Sequence, residues 1–208
     1  MPLRDWLDPL PLVAILRGVR PQEVLDISGV LIDAGFRIIE VPLNSPEPLA
    51  SIEKLAKRFG NDILTGAGTV LSTASVDEVV AAGGQLIVTP HADAEIVRKA
   101  KKKTLLALPG FATPTEAFRM LAAGADALKL FPAEANPPPV LKAIRAVLPG
   151  DTAVFPVGGI TPEKLEGYVK AGATGFGLGS ALYAPGMSAA QVAENARNFT
   201  ARMRATQL

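Results

Sequence analysis

The chain has 208 residues, of which 49% are hydrophobic and 20% charged, with 19 Gly, 18 Pro and no Cys. So high an apolar fraction excludes a disordered segment, and the length suits one domain spanning 1–208. Lys plus Arg (21) nearly balances Asp plus Glu (20), which excludes a broad basic surface for nucleic acid or an anionic membrane; the lack of cysteine excludes disulfides, thiolate nucleophiles and Cys-ligated metals, and fits a cytoplasmic protein.

In chain order, the segment Met1 to Leu10 carries Arg4, Asp5 and Asp8 and lacks the basic-then-apolar pattern of a signal peptide. It predicts a short helix closing the bottom of the fold. Eight short runs rich in Val, Ile and Leu then follow, each succeeded by a longer amphipathic stretch. They are Val13 to Gly18, Ile38 to Leu43, Leu64 to Val70, Leu86 to Pro90, Thr104 to Gly110, Ala127 to Pro132, Ala153 to Gly159 and Gly175 to Ser180. Their starts lie 18 to 26 residues apart, the length of a strand, a crossover helix and two loops.

Helix starts are expected at Ser45-Pro46, Ser75 with Glu78, Thr113-Pro114 with Glu116, and Thr161-Pro162. There a side-chain oxygen caps free amides, and proline at the first position loses no hydrogen bond. Helix ends are expected at Gly35, Gly60, Gly83, Gly124 and Gly172. The charge-free stretch Ala171 to Ala193 is long enough to span a bilayer, but five glycines and Pro185 divide it into loop-like pieces, so no membrane helix is expected. Eight alternating strand and helix units predict a (β/α)8 TIM barrel, an α/β fold. An open doubly wound sheet is disfavoured: no run resembles a charged edge strand, and no Gly-x-Gly-x-x-Gly follows the first run.

Three runs contain a charge: Arg17, Glu40 and Lys129. If Ile39, Val41, Leu128 and Leu130 pack outward against the helices, Glu40 and Lys129 both point inward, near the C-terminal strand ends where such folds keep their active sites. A structural ion pair is the plain alternative, but a buried pair seldom repays its desolvation. Desolvation favours a neutral lysine, and a neutral amine attacks a ketone to form a Schiff base while a nearby carboxylate shuttles protons. The last two runs end in Gly158-Gly159 and in Gly179-Ser180, where backbone amides can hold a phosphate. Gly66-Ala67-Gly68-Thr69 ends the third run, and Thr69 offers a hydroxyl to a bound carboxylate. His91, the only histidine, reads as a rim residue without metal partners, and Lys99 to Lys103 as a solvated helix end.

The segments Leu12 to Gly18, Ile39 to Pro46, Gly66 to Val70, Leu86 to Pro90, Ala127 to Pro132 and Val157 to Gly159 together resemble the 2-keto-3-deoxy-6-phosphogluconate and 2-keto-3-deoxy-6-phosphogalactonate aldolases, over nearly the whole chain. The resemblance implies a homotrimeric aldolase without metal or cofactor. Its substrate would be a phosphorylated keto-deoxy sugar acid, cleaved reversibly to pyruvate and glyceraldehyde 3-phosphate. It implies Lys129 as the Schiff-base residue, Glu40 as general acid and base, Arg17 and Thr69 at the substrate's anionic and carbonyl end, and Gly158, Gly159, Gly179 and Ser180 at its phosphate.

Within the family, Leu43-Asn44-Ser45-Pro46 and Val157 resemble the galactonate branch; the gluconate enzymes have Leu-Arg-Thr-Pro and a threonine at these places. The two substrates differ at C4, beside the bond that breaks, so Val157 is expected to influence which epimer is accepted. Glu134 and the prolines after it depart from the small polar residues of relatives and are expected to alter the rim. Two readings remain beside the galactonate aldolase and its gluconate counterpart: an isomerase or epimerase in which Glu40 abstracts a proton, and a sugar-phosphate sensor without turnover.

Overall fold

The computed structural model describes residues 2–60 and 62–206. A 3-10 turn (Leu3–Trp6) leads into β1 (Leu12–Ile15), α1 (Val24–Asp33), β2 (Ile38–Pro42), α2 (Pro48–Phe59), β3 (Leu64–Gly68), α3 (Thr73–Ala81), β4 (Leu86–Val88) and α4 (Ala94–Lys102). The chain continues through β5 (Leu106–Leu108), β6 (Gly110–Phe111), α5 (Pro114–Ala122), β7 (Leu128–Leu130), a 3-10 turn (Ala133–Ala135), α6 (Pro138–Arg145) and β8 (Val154–Pro156). A 3-10 turn (Pro162–Lys164), α7 (Leu165–Lys170), β9 (Phe176–Leu178) and α8 (Ala189–Thr206) complete it. Among the described residues, no helix is long and apolar enough to cross a membrane.

The strands form two parallel sheets in an α/β fold: six strands in the order β5-β4-β3-β2-β1-β9, and three in the order β6-β7-β8. The fifth expected run is the one that breaks, into β5 and β6. Pro109 has no N–H to give to the ladder, and the Gly110 amide donates instead to the Thr89 hydroxyl at 3.2 Å. Beyond it the pairing resumes, with Gly110 opposite Lys129. At the other seam a single bridge joins Val157 to Gly177, and the Thr174 amide donates to the Val154 carbonyl at 2.9 Å.

The period-two alternation sorts the strand residues into two layers. Val13, Ile38, Leu64, Leu86, Val88, Leu106, Leu108, Ala127 and Phe155 meet inside the curl, and Leu3 and Trp6 cover them from below. Ala14, Ile39, Val41, Ala67, Ile87, Leu128, Leu130 and Leu178 face out against the helices. Where β9 faces β8, glycine makes the room: a Cβ on Gly175 would lie 2.6 Å from the Phe155 ring, and one on Gly177 2.6 Å from a Val157 methyl.

Helix boundaries follow the expected chemistry at some ends and not at others. Thr113 and Glu116 form a full capping box for α5. The α3 helix starts earlier than expected, capped by Ser72, whose hydroxyl accepts from the Ser75 amide. The α2 helix starts at Pro48 rather than after Ser45, because the Ser45 hydroxyl accepts from the Gly18 amide at 2.9 Å. At Thr161-Pro162 the chain enters a 3-10 turn before α7. Gly35, Gly83, Gly124 and Gly172 adopt the left-handed conformation expected of helix ends, while Gly60 stays right-handed.

Trp6 is 7% exposed and covers the bottom of the interior cluster. Trp6→Ala should therefore lower the unfolding free energy by about 3 kcal/mol. Urea denaturation followed by circular dichroism measures this, and an unchanged midpoint would show that the cover contributes no packing energy.

Candidate active site

The alternation that points Ile38 inward also points Glu40 inward, two residues further toward the strand ends. Lys129 arrives from β7 by the same parity, between Leu128 and Leu130, which pack outward. Glu40 is 2% and Lys129 5% exposed. Both line a small space inside the curl, walled by Val13, Ile15, Val88, Leu108 and Phe155. A Cβ on Gly68 would overlap the Glu40 carboxylate, so glycine at the end of β3 is what lets the carboxylate lie there. Glu40 Oε2 has no hydrogen-bond partner among the described residues, an orphaned acceptor held away from water.

Burial raises the Glu40 carboxyl from its ordinary 4.5 to about 7, against the opposing pull of the Lys129 and Arg17 cations. Burial also lowers the Lys129 ammonium below its usual 10.5; Glu40 opposes that shift and Arg17 adds to it. Each desolvated group thus moves toward neutrality, where one proton can be exchanged at little cost. The Lys129 Nζ lies 4.9 Å from the centre of the Phe131 ring.

A cavity of about 460 Å³ opens above Lys129. Arg17, Lys129, Val157, Gly158, Gly159, Gly179 and Ser180 all line it, so seven of the residues singled out from the sequence share one space. Glu40 lies below it beside Lys129, and Thr69 joins through Arg17. The Arg17 guanidinium donates to Asn44 Oδ1 at 2.5 Å and to Thr69 Oγ1 at 3.3 Å. Thr69 itself stands at φ 55, a left-handed conformation uncommon outside glycine. Gly158 (φ 110) and Gly159 (φ 56) form the turn after β8 in the same region of conformational space.

Sequence reasoning did not single out Phe131, Tyr183 and Pro185, which also line this cavity. The Tyr183 hydroxyl donates to Glu23 at 2.9 Å, and Pro185 lies against Gly18, where a Cβ would meet its ring at 2.6 Å. These contacts strap the loop after β9 to the loop after β1. No local signal marks them, since both pairs are more than 150 residues apart. Asn44 was visible only as part of a branch signature and not as a partner of Arg17. His91 sits outside the cavity lining, its Nε2 3.8 Å from Asp93. In the lysine run, Lys99 and Lys103 pair with Asp77, and Lys101 pairs with Asp126.

Residues 3–197 match the aldolase family described as "KDPG and KHG aldolase". The chain is 49% identical, over 94% of its length and 95% of the relative's, to the 2-dehydro-3-deoxy-6-phosphogalactonate aldolase of Escherichia coli (strain K12). It superposes with a TM-score of 0.95 on a solved structure called "Native KDPGal structure", at 48% identity and covering 98% of this chain and 99% of that one. It also superposes, at a TM-score of 0.94 and 49% identity, on a cube-shaped, highly porous protein cage designed by fusing symmetric oligomeric domains, covering 96% of this chain and 74% of that one.

The electrostatics give a measurable sign. The folded protein holds the Glu40 proton more tightly than the unfolded chain does. The stability this group contributes is therefore full below pH 4.5 and is lost as pH rises through about 7. Carbon-13 NMR of the Glu40 carboxyl should give a midpoint near 7, and Lys129→Met should move it upward by removing the neighbouring cation. A midpoint at the ordinary value, or a downward move in the variant, would contradict the burial described here.

Proposed function

The chain belongs to the KDPG and KHG aldolase family, and on that premise we propose that it is a class I aldolase that reversibly cleaves 2-dehydro-3-deoxy-6-phosphogalactonate to pyruvate and D-glyceraldehyde 3-phosphate. The observation that carries the residue assignments is the burial of Lys129 beside Glu40 beneath an open cavity. A neutral Lys129 amine adds to the C2 ketone. The protonated Glu40 carboxyl gives its proton to the departing hydroxyl, so that water leaves and a cationic imine remains. The Glu40 carboxylate then takes the proton of the C4 hydroxyl. The C3–C4 bond breaks, its electron pair enters the imine to form an enamine, and the aldehyde departs. Glu40 returns the proton to C3, and water releases pyruvate from Lys129. A carboxyl poised near 7 suits both directions of transfer, because neither its acid nor its base form is scarce at neutral pH.

In this reading Arg17, held by Asn44 and Thr69, receives the substrate carboxylate. The amides of Gly158, Gly159 and Gly179 with the Ser180 hydroxyl receive the phosphate at the other end of the cavity. Val157 lines the same cavity, and we read it as meeting the carbons near C4. We read the two curled sheets as one closed (β/α)8 cylinder within a single domain, 1–208. Chain continuity across Pro109 and the Val157–Gly177 bridge support that closure. A homotrimer is the assembly we propose, supported by the likeness to a domain used as a symmetric oligomer in the designed cage.

Pyruvate with borohydride should add one reduced pyruvyl group to Lys129 alone. Lys129→Ala should abolish cleavage while leaving the circular dichroism spectrum unchanged. Mass analysis that finds no adduct on Lys129 would overturn the mechanism. Comparing kcat/KM for the two C4 epimers tests the substrate: the galactonate form should be preferred, and Val157→Thr should narrow the preference by about 10-fold. An equal or reversed preference in the parent protein would exclude the galactonate reading.

A further inference from the structure

One charge on the cavity wall has no part in the chemistry above. The charged lining of the cavity consists of Arg17, Lys129 and Glu134. Arg17 and Lys129 belong to the end proposed for the keto acid, whereas Glu134 rests on the glycine turn proposed for the phosphate. A Cβ on Gly158 would overlap Glu134 Oε2, and one on Gly159 would lie 2.7 Å from Glu134 Cγ and 2.9 Å from Oε1. Glu134 is exposed, and among the described residues it makes no ion pair and no hydrogen bond. From the other side the turn is fixed by Lys164, whose Nζ donates to the Gly159 carbonyl at 2.6 Å.

Behind the turn lies a second cavity of about 370 Å³, lined by Pro137, Pro138, Glu163, Lys164 and Tyr168 and bordered by the same Glu134. The side chain of Glu134 therefore stands between two spaces, one in front of the glycine turn and one behind it. An anion seated on the turn would be within a few Å of this carboxylate, where like charges repel and salt weakens the repulsion. The rear cavity leaves the carboxylate room to turn away from the anion, with the Lys164 ammonium and the Glu163 carboxylate both on its wall.

We propose that Glu134 is a specificity-determining residue that competes with the substrate phosphate for the space at the glycine turn, packing against it when it is free and turning toward the rear cavity when a phosphate dianion arrives. The inference rests on the reading that this turn receives phosphate. Its consequence is a reduced advantage of phosphorylated over unphosphorylated aldehydes, because only the charged ligand must displace the carboxylate.

The test uses the intact protein and its Glu134→Gln and Glu134→Ser variants in condensation with pyruvate. The aldehydes are D-glyceraldehyde 3-phosphate and unphosphorylated D-glyceraldehyde, with inorganic phosphate as inhibitor. Both variants should lower the ratio of the KM for the phosphorylated aldehyde to that for the unphosphorylated one by about 3- to 10-fold at low ionic strength. They should tighten inhibition by inorganic phosphate by a similar factor, and 0.5 M salt should shrink both differences. Borohydride trapping of pyruvate reports that the site is formed in each variant. An unchanged or increased ratio, with phosphate inhibiting all three proteins alike, overturns the role given to Glu134 and leaves the phosphate site standing. If inorganic phosphate inhibits none of them, the phosphate reading of the turn fails and this inference fails with it.

Discussion

Holding an amine and a carboxyl out of water is costly, and the placement of Lys129 and Glu40 constrains much of what surrounds them. Their inward direction is fixed by the neighbours that must face outward: Ile39 and Val41 on one strand, Leu128 and Leu130 on another. A one-residue slip of either strand would put the charge among the helices and the aliphatic pair inside the curl. The same pair requires glycine on β3, since the Glu40 carboxylate lies where a side chain on Gly68 would be. What looks from the sequence like a loose Gly-Ala-Gly strand end is the clearance for a buried acid.

This constraint also explains which parts of the architecture were legible in the sequence. Glu40 and Lys129 could be assigned to the interior because period-two alternation survives in even a three-residue strand, and their outward neighbours are strongly apolar. Seven of the eight runs stay whole as strands for the same reason. The fifth breaks at Pro109, and the compensating acceptor is the hydroxyl of Thr89, 21 residues upstream, which no local pattern identifies. Ser45 departs from its local signal in a similar way. Ser-Pro is a sound helix-start signal, but the Ser45 hydroxyl serves the Gly18 amide 27 residues away, and the helix begins later.

The site itself divides along the same line. On the strand ends, Glu40 and Lys129 were accessible through strand parity and Gly158, Gly159, Gly179 and Ser180 through glycine-rich endings, whereas the roles expected of Arg17 and Val157 came from the family resemblance. Residues reaching the cavity from loops were not accessible. Tyr183 and Pro185 come to it only because the loop after β9 is tied to Glu23 and Gly18. This strap joins the segment that carries Arg17 to the segment that carries Gly179 and Ser180. The two loops are thereby tied together beside the cavity, which suits the proposed ligand with an anion at each end.

The contact between Val157 and Gly177 has a further meaning. The valine proposed to influence the choice of epimer is also the knob that fills the hollow left by a missing side chain on the adjacent strand. Any exchange at this position alters the view that the ligand has of the wall and, at once, the fit of two neighbouring strands across their narrowest seam. If the proposed role of Val157 holds, a change of sugar preference made at this residue is coupled to the packing of that seam.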